Sequence, residues 1–110
     1  MNKMLFIALL FLSCQTYAQT SEKYNSEYAN FYRAEELFEK EQYGAARKEF
    51  RIFMDGFPEV NDPMYIKASY YEAISALNLY NNDAERLLLT FLKNYPESIY
   101  RTDIYYRLGK

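Results

Sequence analysis

Two stretches of this chain repeat one another at a fixed distance. Ala46, Phe50, Phe53, Met54, Phe57 and Pro58 recur thirty-eight residues later as Ala84, Leu88, Phe91, Leu92, Tyr95 and Pro96. Within each stretch the apolar residues fall three and four apart, the spacing that gathers side chains on one face of an α-helix. A helix with one apolar face needs neighbours to bury it. When that helix recurs at a fixed period, the expected solution is a stack of helix pairs. No part of the chain alternates apolar and polar residues for long, so strands are not expected. The fold class that follows is all-α, built of antiparallel helix pairs.

The same spacing covers Ser21 to Lys40, through Tyr24, Tyr28, Phe31, Ala34 and Leu37/Phe38, and Met64 to Tyr80, through Ile66, Tyr70, Ala73, Leu77 and Tyr80. Breaks fall between these segments. Gly56 stands where a left-handed residue would close the second helix, and Pro58 forbids its continuation. Asp62-Pro63 offers an N-cap acceptor followed by proline in the first helical position. Asn81-Asn82-Asp83 makes a turn and is placed to cap the helix from Ala84. Pro96-Glu97-Ser98 ends that helix and opens a fifth that runs off the chain. The expected division is a lead-in over 19–27, a first repeat over 28–60, a second over 61–97, and the start of a truncated third over 98–110. With the chain stopping inside a helix, the 110 residues are expected to be the N-terminal piece of a longer protein. Ala46 and Ala84 let paired helices approach closely, while Phe50, Phe53, Leu88 and Phe91 fill the groove between them. Replacing such a core aromatic by alanine is expected to cost ~3–5 kcal/mol.

The N-terminus reads as an address. Asn2-Lys3 gives a short positive start, Met4 to Leu12 is an unbroken apolar run, and Thr16-Tyr17-Ala18 places small side chains before Gln19. These are the three parts of a secretory signal peptide over residues 1–18. The apolar run reaches only about 14 Å as a helix, roughly half of the ~30 Å hydrocarbon core, so a spanning helix is disfavoured. Phe11-Leu12-Ser13-Cys14 resembles the lipobox of bacterial lipoproteins, which makes Cys14 a possible lipidation site. Cleavage after Ala18 is the preferred reading, and it leaves a mature chain without cysteine, suited to an oxidising compartment.

Composition limits the chemistry. The chain has no histidine, and so lacks the commonest acid–base group near neutral pH and the commonest metal ligand. One cysteine makes neither an internal disulfide nor a thiolate cage. Thirteen Lys and Arg against fifteen Asp and Glu leave a net charge of −2, so no strongly charged partner is implied. Glu35, Glu36, Glu39 and Glu41 put acid on the first helix; Arg47, Lys48 and Arg51 put base on the second. Glu36–Lys40, Glu97–Arg101 and Asp103–Arg107 have the spacing of ordinary helix ion pairs. A carboxylate pair for glycoside chemistry would need a pocket that an exposed helix does not offer. Three basic residues are too few for a nucleic-acid footprint. No catalytic residue, cofactor, metal site or small-molecule substrate is expected. The thirteen tyrosines read as helix packing with hydroxyls reaching water. Adjacent pairs such as Tyr70-Tyr71 and Tyr105-Tyr106 cannot both face one groove.

Ala34, Leu37, Tyr43, Ala46, Phe50 and Pro58 fall on the spacing of the helix–turn–helix unit of the tetratricopeptide repeat (TPR) family, which this chain resembles. Phe53 replaces the usual second small residue. Ala84, Leu88 and Pro96 match in the second unit, where Asn81 departs from the Tyr43 position. Leu108-Gly109 resembles the Leu-Gly pair of a third unit. The long connection after Pro58 carries the period past the family's usual ~34 residues, a lengthening that resembles the BamD-like β-barrel assembly lipoproteins of the outer membrane. The resemblance implies a right-handed TPR-like solenoid whose first helices line a concave, partner-holding face. Members that clamp a peptide carboxylate use Lys, Asn and Arg there. Phe31, Glu35 and Glu39 stand on that side here, so a basic or aromatic-containing protein segment is the expected partner.

The function expected is an exported interaction scaffold of a Gram-negative-type cell envelope, in the periplasm or at the outer membrane, with assembly or trafficking of outer-membrane proteins as the refinement. Membrane association is expected only if Cys14 is lipidated. The alternatives are an accessory repeat region of a larger envelope enzyme or wall-binding protein, and carbohydrate binding through exposed tyrosines.

Overall fold

The computed structural model describes residues 28–109. The signal-like segment, the expected cleavage position after Ala18, Cys14 and the lead-in at 19–27 lie outside the described residues. Those described form five helices and no strand: α1 (28–39), α2 (Tyr43–Asp55), α3 (Pro63–Asn78), α4 (Ala84–Asn94) and α5 (Arg101–Arg107). Each packs against the next.

The repeat seen in the sequence supplies the core. Phe31 of α1 meets Phe50 and Phe53 of α2 edge-on, with ring centroids 6.0 and 5.5 Å apart, the arrangement that aromatic quadrupoles favour. Ala46 and Ala84 are buried, as a close helix approach requires. The long α3 joins two clusters. Tyr71 lies 4.5 Å from Phe38 and 6.0 Å from Phe50 in the first. Tyr70, Ala73 and Ile74 meet Leu88 and Phe91 of α4 and Ile104 of α5 in the second. Tyr70 thus stands against Phe91 much as Phe31 stands against Phe53. Buried on most of its circumference, α3 carries even Glu72 and Ser75 inside. Ser75 satisfies its hydroxyl by donating to the Tyr71 carbonyl at 2.7 Å.

The helix ends agree with the sequence at Asp62 and at Pro96, before which α4 stops, and differ at Gly56, Asp83 and the end of α5. Asp62 caps α3, its carboxylate accepting from the Met64 amide at 2.8 Å, with Pro63 in the first turn. Asp83 precedes α4 but makes no side-chain cap; two guanidiniums, of Arg47 and Arg86, draw its carboxylate away instead. Gly56 is not left-handed, with φ at −95°. The left-handed residues are Glu41 (φ 60°), Tyr80 (φ 57°) and Gly109 (φ 75°), just past α1, α3 and α5. After α1 the Gln42 amide donates back to the Leu37 carbonyl, and after α3 the Asn81 amide donates to Ala76, both at 2.9 Å. Both are the six-to-one bond of a Schellman ending. The first helix of each pair therefore turns sharply into the second. The fifth helix, expected to run off the chain, closes at Arg107.

Candidate functional site

The three residues that the sequence puts forward for partner binding do not make one patch. Phe31 is 1 % exposed and belongs to the core, so it cannot touch a partner without unfolding α1 from α2. Its position on the helix face that meets Phe50 and Phe53 corrects that expectation. Glu35 is half-buried and ion-paired with Lys67 of α3 at 2.8 Å. The hydrogen bond it donates to Glu35 raises the Lys67 ammonium above the ordinary lysine range, against an opposing effect of burial. The same ammonium stands 5.7 Å over the rings of Phe31 and Tyr71, a cation–π placement. A basic partner at Glu35 must therefore displace Lys67. Glu39 is exposed, and Glu36 pairs with Lys40 at 2.9 Å.

The basic residues of α2 have an internal role. Glu72 is buried and accepts from Arg51 Nη2 at 2.8 Å and from Arg47 Nε at 3.5 Å. Arg47 also donates to Asn81 Oδ1 at 2.8 Å and to both carboxylate oxygens of Asp83. Hydrogen bonding to Asp83 holds the Arg47 guanidinium above its ordinary range, and the same bond holds the Asp83 carboxyl below its own. These groups brace α2 to α3 and to the turn before α4. They offer neither a paired free carboxylate nor a nucleophile next to a base. Among the described residues no group of three or more metal-ligating side chains is gathered, and no helix is long and apolar enough to cross a membrane.

An apolar groove of about 460 Å³ opens between the start of α3 and the α4–α5 connection. Pro63 and Ile66 form one wall; Tyr95, Pro96, Ile99 and Tyr100 form the other. Ile99 is 88 % exposed. The opposite wall is held in place by its own contacts. Tyr95 donates its hydroxyl to the Val60 carbonyl at 2.5 Å, and Tyr100 stacks on Tyr70 with centroids 4.1 Å apart and planes within 9°. Ser98 Oγ accepts from the Tyr100 amide at 3.2 Å, fixing the turn between them. Burial raises the Tyr95 and Tyr100 hydroxyls above the ordinary tyrosine range, so both are neutral walls at physiological pH. Such a groove can hold an apolar side chain. In the sequence Ile66 reads as an apolar helix position and Pro96-Glu97-Ser98 as the end of one helix and the start of the next. Only the fold brings them together.

Compared with protein-family models, curated proteins and solved structures, the chain matches none.

Proposed function

We propose that this chain is an exported helical-repeat scaffold that presents a preformed surface to a protein or peptide partner in the envelope of a Gram-negative-type bacterium. The observation that carries the reading is the groove at the α3–α4/α5 seam, apolar and partly open, with walls fixed by contacts independent of any partner. A surface already in its binding shape loses little conformational freedom on association. Two further features support the reading. The signal-like residues 1–18 and the thirty-eight-residue repeat are those of an exported array of helix pairs. Stacking of these pairs as a right-handed, TPR-like solenoid would put the first helices, with Glu35 and Lys67, on one concave side. Assembly or trafficking of outer-membrane proteins is the refinement that follows from the BamD-like period. Because one repeat fold serves many tasks, that refinement rests on resemblance.

A photo-crosslinking amino acid placed at position 99, and in a second variant at position 80, tests the reading in a Gram-negative host. The expected result is a discrete adduct from position 99 in the envelope fraction and none from position 80, which is exposed far from the groove. Retention of the chain in the cytoplasm, or equal adducts from both positions, overturns it. Charge reversal at Glu35 and Glu39 is expected to alter the yield of the adduct.

A further inference from the structure

In the first repeat the niche between the start of α1 and the segment after α2 is closed from within. Tyr28 sets its ring 5.8 Å from Phe57 and 6.4 Å from Phe53, and Phe57 is buried beneath it. The shift of thirty-eight residues carries Phe53 to Phe91 and Phe57 to Tyr95, aromatic in both repeats. In the first helices of the two pairs the offset is thirty-nine, Phe31 to Tyr70 and Ala34 to Ala73, and it carries Tyr28 to Lys67. Lys67 has no ring and is drawn to Glu35. The ring that closes the first niche thus has no counterpart in the second, and the groove opens between Ile66 and Tyr95.

We propose that this groove is a seat for one aromatic side chain carried by a partner polypeptide, held against Tyr95 as Tyr28 is held against Phe57. The inference rests on the partner-capture reading above and adds the chemistry of the captured residue. The size agrees: the groove of about 460 Å³ admits a ring together with part of its backbone. An aromatic ring is the side chain with the most apolar area to bury there for the fewest rotamers lost. Among the lining residues Glu97 carries the only charge, which favours a basic residue beside the ring over an acidic one.

Because the chain has no tryptophan, a tryptophan probe is read by its own fluorescence. N-acetyl-tryptophanamide and N-acetyl-leucinamide are titrated into the full chain, with methyl NMR shifts of Ile66 and Ile99 as a second readout. The expected result is a saturable shift of both methyls by the tryptophan probe, with affinity about tenfold above that of the leucine probe. Ile66→Tyr fills the groove from its own wall, and is expected to abolish binding while leaving the melting temperature unchanged or raised. Ile99→Glu changes a side chain too exposed to matter for folding, and is expected to weaken binding about tenfold. Equal affinity for the two probes, or undiminished binding in both variants, overturns the proposal. The two readings separate cleanly. A position-99 adduct without tryptophan binding removes the aromatic seat and leaves partner capture. Tryptophan binding without any adduct does the reverse.

Discussion

The Tyr70 hydroxyl on α3 donates to the carboxylate of Asp103 on α5, thirty-three residues away. Arg107 donates to the same carboxylate oxygen from Nε at 2.7 Å. Burial opposes ionisation of Asp103, but the Tyr70 and Arg107 hydrogen bonds overcome it and hold the carboxyl below its ordinary value. Tyr70→Phe keeps the ring stacked on Tyr100 and deletes only the donor. The expected loss is about 1.5 kcal/mol, the lower end for a hydrogen bond to a charged acceptor, read as a fall in the denaturation midpoint. The Asp103 carboxyl is expected to move back towards its ordinary range, measurable by carbon-detected NMR titration.

The same residues set an alkaline limit. Burial, then the bond to Asp103, raises the Tyr70 hydroxyl well above the ordinary tyrosine value, and burial raises Tyr95 and Tyr100. The folded protein holds these protons more tightly than the unfolded chain. Their contribution is complete below the unfolded value of about 10 and is lost as pH rises through the folded values. Absorbance at 295 nm should show these tyrosines ionising late in the native protein, and together with the rest in urea.

Glu72 and its two arginines are not equivalent. The side chain of Glu72 is 8 % exposed and that of Arg51 is 55 % exposed. Arg51→Ala is expected to cost about 3 kcal/mol by leaving the buried Glu72 carboxylate only the 3.5 Å contact with Arg47, whereas Glu72→Ala should cost about 1 kcal/mol, because Arg51 then returns to water and Arg47 keeps Asn81 and Asp83. Urea denaturation of the two variants tests the order. Asp83, held below its ordinary value by Arg47, supplies the acid counterpart. Its stabilisation is present above the unfolded aspartate value and is lost as pH falls through the folded one.

Tyr80 combines a left-handed backbone with 92 % exposure. Its side chain buries almost nothing, while a β-carbon in that conformation costs roughly 1–2 kcal/mol. Part of the relief is cancelled by glycine's larger entropy loss on folding. Tyr80→Gly is therefore expected to stabilise the protein by about 0.5–1 kcal/mol. Thermal melting of this variant beside Tyr80→Ala, which keeps the β-carbon, isolates the backbone effect.

Periodicity made the helices legible, because Phe31, Phe50, Phe53, Leu88 and Phe91 announce buried faces without help from the rest of the chain. Asp62-Pro63 was legible for a similar reason: a cap is a local bargain between one carboxylate and an amide two residues on. Asp83 has the same chemistry, but a guanidinium from α2 outbids the local amides, and no local pattern records that Arg47 will be near. The left-handed endings at Glu41 and Tyr80 carry no glycine to mark them. The groove is hidden for a further reason. It arises from a side chain that fails to repeat, and periodicity draws attention to those that do.

Arrays of helix pairs can in principle open one pair at a time, since each unit touches only its neighbours. Arg47 works against that here. By joining α2 to Glu72 of α3, Asn81 and Asp83, it makes loosening of the first pair also strip partners from the second. Amides at the cores of both pairs should then exchange hydrogen in a single concerted event, with one shared opening free energy. In Arg47→Ala that shared opening free energy should fall, while Tyr71 against Phe38 and Phe50 keeps the two halves in contact.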